Sequence, residues 1–281
     1  MIRDGRVIPR RDFSTGVELL EAEAWASLHS RFALMSGESG AAVRRWGRAA
    51  ALATRNVNAI GINRAIGFGF ERRLDVEQLT EIQSFFREHG ISQWSLECSP
   101  NALIDTESLL ATGGVIAGST IKLVGELNSL VELPAASHEV VEATSRDAPS
   151  FMAIVSPQLD VPELARPGIV STIGQPPWRF YFALSDARPV AAAAMLIDGE
   201  GAWLGLAGTL PEYQNRGAQT ALLLRRIQDA KAAGCRWVSA ETSPETLKPN
   251  PSLRNMRRIG LRELYRRPWY RFREEGSRPS A

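Results

Sequence analysis

Cysteine, histidine and long apolar runs are all scarce in this chain. Of its 281 residues two are cysteine and three are histidine. Cys98 and Cys235 cannot make a disulfide scaffold, and both stand in apolar strand patterns, so a reduced, cytoplasmic setting is expected. His29, His89 and His138 are scattered, and without Cys or His at ligand spacing no metal site is expected. The longest apolar run, Val190–Ile197, is far too short to span a bilayer. The opening Met-Ile-Arg-Asp-Gly-Arg lacks the apolar core of a secretory signal. An excess of one charge is missing too: 33 Lys and Arg against 31 Asp and Glu leave a formal +2. Nothing global therefore calls for a nucleic acid or a membrane partner. The length suits two modest domains or one large one.

What is present is a layout that occurs twice. Gly90, Ser95, Glu97, Ser99 and Pro100 share their spacing with Gly234, Ser239, Glu241, Ser243 and Pro244. In each half a helix ends at the glycine, which suits a C-cap needing positive φ. A short strand follows (Trp94–Cys98 or Trp237–Thr242), then a second helix ending near Gly113/Gly114 or Gly260, then an extended segment (Ile116–Leu127 or Arg262–Phe272). A boundary is expected near Asn128–Ser137. After it, Glu139–Ala143, Arg179–Leu184 and Pro189–Ile197 read as strands, and Asp147–Ser156 and Pro162–Ser171 as short helices. Ahead of it, Val17–Leu34 and Gly40–Ala53 read as helices, Asn58–Phe70 as extended, and Asp75–Glu88 as a helix capped by Asp75.

Thr209–Leu222 carries the clearest chemistry. An apolar strand pattern enters a turn holding Gln214, Arg216 and Gly217, and an amphipathic helix from Arg216 to Ala233 opens at once. Its stripe is Leu223, Ile227 and Ala230, with Arg225, Arg226 and Asp229 largely off it. First-turn N–H groups have no intrahelical acceptors and the helix dipole favours negative charge there, so this is an anion site suited to a pyrophosphate. The corresponding turn of the first half, Glu71-Arg72-Arg73-Leu74, has no such glycine, and Glu71 repels a phosphate. The arginines Arg254, Arg257, Arg258, Arg262, Arg266, Arg267 and Arg271 read mostly as solvated, spread over several faces. Ser252 reads as a helix N-cap.

The second half resembles the GNAT superfamily of acyl-CoA-dependent N-acetyltransferases. The family's Gln/Arg-x-x-Gly-x-Gly/Ala signature falls on Gln214-Asn215-Arg216-Gly217-Ala218-Gln219, and Ser252-x-x-Asn255 with Ile259-Gly260-Leu261 also agrees. The resemblance covers Glu139 to Phe272, and the first half looks like a degenerate copy. It implies an α/β (α+β) fold of two tandem GNAT-like domains, each a mixed, mostly antiparallel sheet with flanking helices. Residues 1–131 form the copy without a phosphate loop, and residues 137–281 an acetyltransferase domain with a splayed parallel strand pair. Acetyl-CoA is the implied co-substrate, lying between Trp203–Thr209 and Trp237–Thr242. Gln214, Asn215, Arg216, Gly217, Ala218, Gln219 and Thr220 then surround the pyrophosphate. The backbone at Thr209 and Leu210 pairs with the pantetheine arm, and Asn255 is a further contact.

Two departures stand out. Gln219 replaces a small residue of the signature. Met256 replaces a tyrosine that many relatives carry and cannot donate a proton to the departing thiolate, although a thiol of pKa ~8.5 leaves with little help. The implied reaction is direct attack of an amine on the thioester. Glu241 reads as a base acting through water or as a structural partner of an arginine. Glu212 reads as a second carboxylate near the co-substrate or as a solvated turn residue. Tyr265 reads as a proton donor or as core packing. The acceptor is a small-molecule or peptide amine. A non-catalytic acyl-CoA-binding protein and an aminoacyl-tRNA-dependent transferase are the alternative readings.

Overall fold

The structure is a computed structural model that describes residues 2–3, 6–7, 12–35, 40–57, 61–131, 137–245 and 250–273. In the first half, β1 (Ile2–Arg3) and β2 (Arg6–Val7) pair as a separate ribbon. Then come α1 (Ser14–Met35), β3 (Ala41–Trp46), β4 (Ala49–Thr54), β5 (Arg64–Ile66), α2 (Val76–Glu88), β6 (Gln93–Glu97), α3 (Thr106–Ala111) and β7 (Val115–Glu126). The second half runs β8 (Glu139–Glu142), α4 (Ala148–Leu159), α5 (Arg166–Val170), β9 (Trp178–Ser185), β10 (Arg188–Asp198), β11 (Gly201–Thr209), α6 (Ala218–Ala232), β12 (Trp237–Thr242), α7 (Pro251–Arg258) and β13 (Arg262–Arg273). Half of the expected boundary segment, 132–136, lies outside the described residues.

All strands from β3 onward join one 11-stranded sheet in the order β3-β4-β5-β6-β13-β7-β12-β11-β10-β9-β8. Its pairs are antiparallel except β5–β6 and β11–β12, one parallel pair per half. The last strands are exchanged: β7, from the first half, pairs with β12, while β13, from the second, pairs with β6. The two exchanged strands pair with each other at the seam. Helices cover both faces. On one, α1, α4 and α5 pack against Phe180, Phe182 and Trp203. On the other, α6 and α7 pack against Tyr181, Met195 and Leu204, and α2 packs against Ala51 and Leu96. α1 belongs to the first half by sequence but packs on β3 and β4 as well as on β11.

The repeated glycines act as expected: Gly90, Gly113, Gly234 and Gly260 have φ of 68°, 91°, 82° and 97° just beyond helix ends. Three local readings are corrected. Gly40–Ala53 is not a helix but the hairpin β3–β4, turning at Gly47 with φ 63°. Its alanines favour helix intrinsically, but β4 is buried on both faces, Ala50 and Leu52 under α1 and Ala51 and Ala53 under α2, where only small residues fit. Within Asn58–Phe70 the strand is Arg64–Ile66 alone, and Gly67 and Gly69 turn the chain with φ of 81° and 85°; residues 58–60 lie outside the described residues. Ser252 is not the cap of α7. Asn250 is, accepting from the Leu253 N–H at 3.1 Å, with Pro251 in the first turn.

Candidate acyl-CoA cleft

The cleft begins where β11 and β12 part. Their parallel register runs from Gly201↔Trp237 to Leu204↔Ala240 and stops. Beyond it β11 follows β10 and β12 follows β7. An irregularity in the β10–β11 register, with Leu206 at φ 48°, turns β11 away. The opening leads into a cleft of about 1210 Å³ that reaches from α1 to the first turn of α6. Gly208 lets α4 pack closely beside it, since a Cβ there would lie 3.0 Å from the Ile154 carbonyl.

Asn215 and Gly217 adopt φ of 61° and 91°, and this left-handed turn opens α6 toward the cleft. The N–H groups of Arg216, Gly217, Ala218, Gln219 and Thr220 meet no acceptor among the described residues; the first amide bonded back is that of Ala221, to Gly217. Residues 214–217 are exposed. An open row of amides at a helix start is an anion cradle. Gln219 does not crowd it. Its amide donates to Ser252 Oγ at 2.9 Å and accepts from Asn255 at 2.6 Å, which ties α6 to α7. Asn255 lines the cleft with this amide already engaged. Arg216 lies over the Tyr213 ring, 5.5 Å from its centroid, and is not on the cleft wall.

On β11 the Leu210 N–H is committed to the Val190 carbonyl at 2.9 Å, so it cannot pair with a pantetheine arm. Strand alternation instead turns the backbone of Thr209 and Ala207 away from β10 and toward the gap. The equivalent opening in the first half is closed. Leu103 donates to Gly69 at 2.7 Å and accepts from Leu74 at 2.9 Å, while the Asp75 carboxylate takes the Gln78 N–H at 2.9 Å. Asp75 thus occupies the anion position of α2 with a side chain of its own.

The three carboxyl and phenol groups singled out in the sequence do not converge. Glu212 is exposed in the turn after β11 and off the cleft wall. Tyr265 is buried, donates to Glu18 at 2.7 Å and does not reach the cleft; burial first, then the Glu18 charge, raises its pKa far above the ordinary phenol value. Glu241 alone of the three lines the cleft. Its Oε2 meets Arg267 at 2.6 Å and Lys122 at 3.6 Å. Burial would raise its pKa, but Lys122, Arg267 and Arg64 outweigh that and hold it below the usual carboxylate range.

Glu241 is the edge of a buried ionic cluster that the repeat alone did not disclose. Arg267 sits at its centre, bonded to Glu18 at 2.9 Å and Glu21 at 3.0 Å and in contact with Glu97. Lys122 pairs with Glu21, and Arg64 with Glu97 at 2.8 Å. Arg267 is 1% exposed, so its reading as a solvated charge is corrected. Arg226 is corrected likewise: it is 2% exposed, lines the cleft, and its guanidinium donates to the carbonyls of Leu222 and Ala194. The overlooked signal was charge inside apolar patterns, as in Ile121-Lys122-Leu123-Val124 and Glu18-Leu19-Leu20-Glu21.

The far wall of the cleft comes from α1 and β5 of the first half. Trp25 stacks under Arg64, whose guanidinium lies 3.9 Å from the ring centroid, and meets Trp203 edge-on at 5.7 Å. His29 lies beside them with Nδ1 3.0 Å from the Trp25 carbonyl. Burial above all pushes its imidazole down to about 4, with help from the Arg64 charge and against the carbonyls of Trp25 and Ile62. The unfolded chain binds this proton near 6.5 and the folded chain only near 4. Stability is therefore lost as pH falls from 6.5 toward 4, by up to about 3 kcal/mol. Replacing His29 with Gln is expected to flatten that part of a Tm–pH profile; an unaltered slope would remove His29 as its source.

Comparison with known proteins agrees with this geometry. Residues 174–248 match the family model of the acetyltransferase (GNAT) domain, a stretch that holds β9 to β12 and the α6 turn. No curated protein sequence matches the chain significantly. A GCN5-related N-acetyltransferase from Kribbella flavida superposes with a TM-score of 0.60 at 16% identity, covering 91% of this chain and 96% of that one. A tandem GNAT protein from the clavulanic acid biosynthesis pathway gives 0.59 at 14% identity, covering 94% of each chain. A conserved protein of unknown function from Staphylococcus epidermidis gives 0.56 at 13% identity, covering 86% and 97%. The two-copy arrangement is thus a fold shared over nearly the whole length. Among the described residues, no helix is long and apolar enough to cross a membrane.

Proposed function

From the premise that the chain belongs to the GNAT superfamily, with its fold in two copies, we propose that it moves an acetyl group from acetyl-CoA to a primary amine. The observation that carries this is the open row of amides from Arg216 to Thr220 at the mouth of a strand gap. Five donors and a helix dipole suit a diphosphate, and the gap gives an extended arm backbone to pair with. Arg254 and Arg258 line the same end and add positive charge, and Arg258 also bonds Thr220 at 2.8 Å.

The amine nitrogen attacks the thioester carbonyl carbon, the C–S bond breaks, and the proton lost by the amine ends on the CoA sulfur. Holding the two substrates together supplies most of the rate in such a reaction. Glu241, anionic and tied to Lys122 and Arg267, contributes charge rather than strong basicity. Met256 lines the cleft where a proton donor would stand, and Tyr265 does not reach it, so the thiolate leaves unassisted. Acyl-CoA binding without turnover is the second reading, and Met256 favours it.

Titration calorimetry with CoA, followed by thiol release from acetyl-CoA with a panel of amines, tests both. Saturable binding with amine-dependent release is expected. Binding without release from any amine would select the second reading, and no binding would reject both.

A further inference from the structure

The buried cluster is one positive charge short. Glu18, Glu21, Glu97 and Glu241 face Arg64, Lys122 and Arg267, four carboxylates against three cations. Tyr265, also in contact, stays neutral. The side chains of Glu18, Glu21 and Glu97 are 1%, 0% and 10% exposed, whereas that of Glu241 is 20% exposed and lines the cleft. Both of its cationic contacts fall on Oε2; among the described residues none falls on Oε1.

Three further groups on the same wall, Trp25 Nε1 among them, lack partners among the described residues. Trp203 Nε1 and Arg64 Nε are buried and meet no acceptor among the described residues, and Trp203 is 1% and Arg64 6% exposed. A buried donor without an acceptor costs about 1–3 kcal/mol, which an oxygen supplied from outside would recover. At this end the wall also presents the apolar surfaces of Trp25, Leu28, Phe32 and Ile169, next to His29, Gln158 and Asp160.

Resting on the transferase reading, we propose that the acceptor is a primary amine on an apolar body, with a neutral oxygen near the nitrogen. Its ammonium supplies the missing charge at Glu241 Oε1, its oxygen serves the indole and guanidine donors, and its body fills the aromatic end. A carboxylate beside the nitrogen is disfavoured, because it returns the negative charge that the ammonium removes. The ammonium gives one proton to water before the free amine attacks.

Phenylalaninamide has all three features. Phenethylamine lacks the oxygen, glycinamide lacks the apolar body, and phenylalanine adds a carboxylate. With full-length protein and acetyl-CoA, kcat/KM for phenylalaninamide is expected to exceed each of the others by about ten-fold or more. Glu241→Gln is expected to raise its KM by about ten-fold while the Kd for CoA stays within about two-fold. The uncharged analogue 3-phenyllactamide should fail to inhibit, a result that needs no variant to fold. Equal turnover of glycinamide or phenylalanine, or inhibition by 3-phenyllactamide near the KM of the amide, would overturn the assignment. Absent CoA binding would count against the transferase reading instead, and calorimetry with phenylalaninamide alone then decides whether the chamber takes this amine.

Discussion

Gly217→Glu is expected to abolish CoA binding, with a loss of at least about a hundred-fold in affinity, while the fold persists. Two effects act together. A carboxylate enters the row of amides, where it fills the anion position from within, as Asp75 does at α2. The backbone at φ 91° is also disfavoured for any side chain, and a Cβ there would lie 2.9 Å from Ser137 Oγ. Gly217→Ala separates the two. It carries the backbone strain of about 1–2 kcal/mol without the charge, so it should lower the affinity far less than glutamate. Ser137 is exposed and its hydroxyl can turn aside, which limits the steric cost. Calorimetry with CoA on both variants, with Tm as the control for folding, gives the answer. Glutamate and alanine equally tight with intact Tm would show that the turn grips nothing.

The second large effect is on stability. Arg267→Met is expected to destabilise the protein by about 3–5 kcal/mol or to prevent folding, because it leaves four buried carboxylates facing only Lys122 and Arg64. Arg267→Lys should recover only part of the loss. The guanidinium reaches Glu18 and Glu21 through one nitrogen and Glu21, Glu97 and Glu241 through the other, and a single ammonium cannot span that arc. Adding Glu18→Gln to Arg267→Met removes one uncompensated charge and should restore about 1 kcal/mol or more. Urea midpoints of the three variants check the order. A midpoint for Arg267→Met within about 0.5 kcal/mol of the parent would mean that the cluster does not hold the seam. These residues come from α1, β5, β6, β7, β12 and β13, so the cluster pins the exchanged strands.

Much of the second half was legible along the chain. Strands β9 and β10 alternate around a short turn, and α6 announces itself by Gly217 followed by a periodic stripe, because each signal is local. The first half was harder. In Ala49–Thr54 alanine's helical preference is outweighed by burial between α1 and α2, a condition set by residues far away in sequence. The same holds for the site. Gly217 could be placed from its neighbours, whereas Tyr265 and Glu212 carried suitable chemistry but not the direction in which they point.

The amino-acid order by itself determined the repeated layout, the strand–turn–helix succession of the second half and the glycine turn before α6, since glycine at positive φ and helix periodicity depend on adjacent residues. Tertiary structure alone decided that the last strands trade places, that α1 walls a cleft in the other half, and that Arg267 is buried among carboxylates. Those outcomes arise from contacts between residues up to 249 positions apart, and no local pattern encodes which distant charges will meet once water has been excluded.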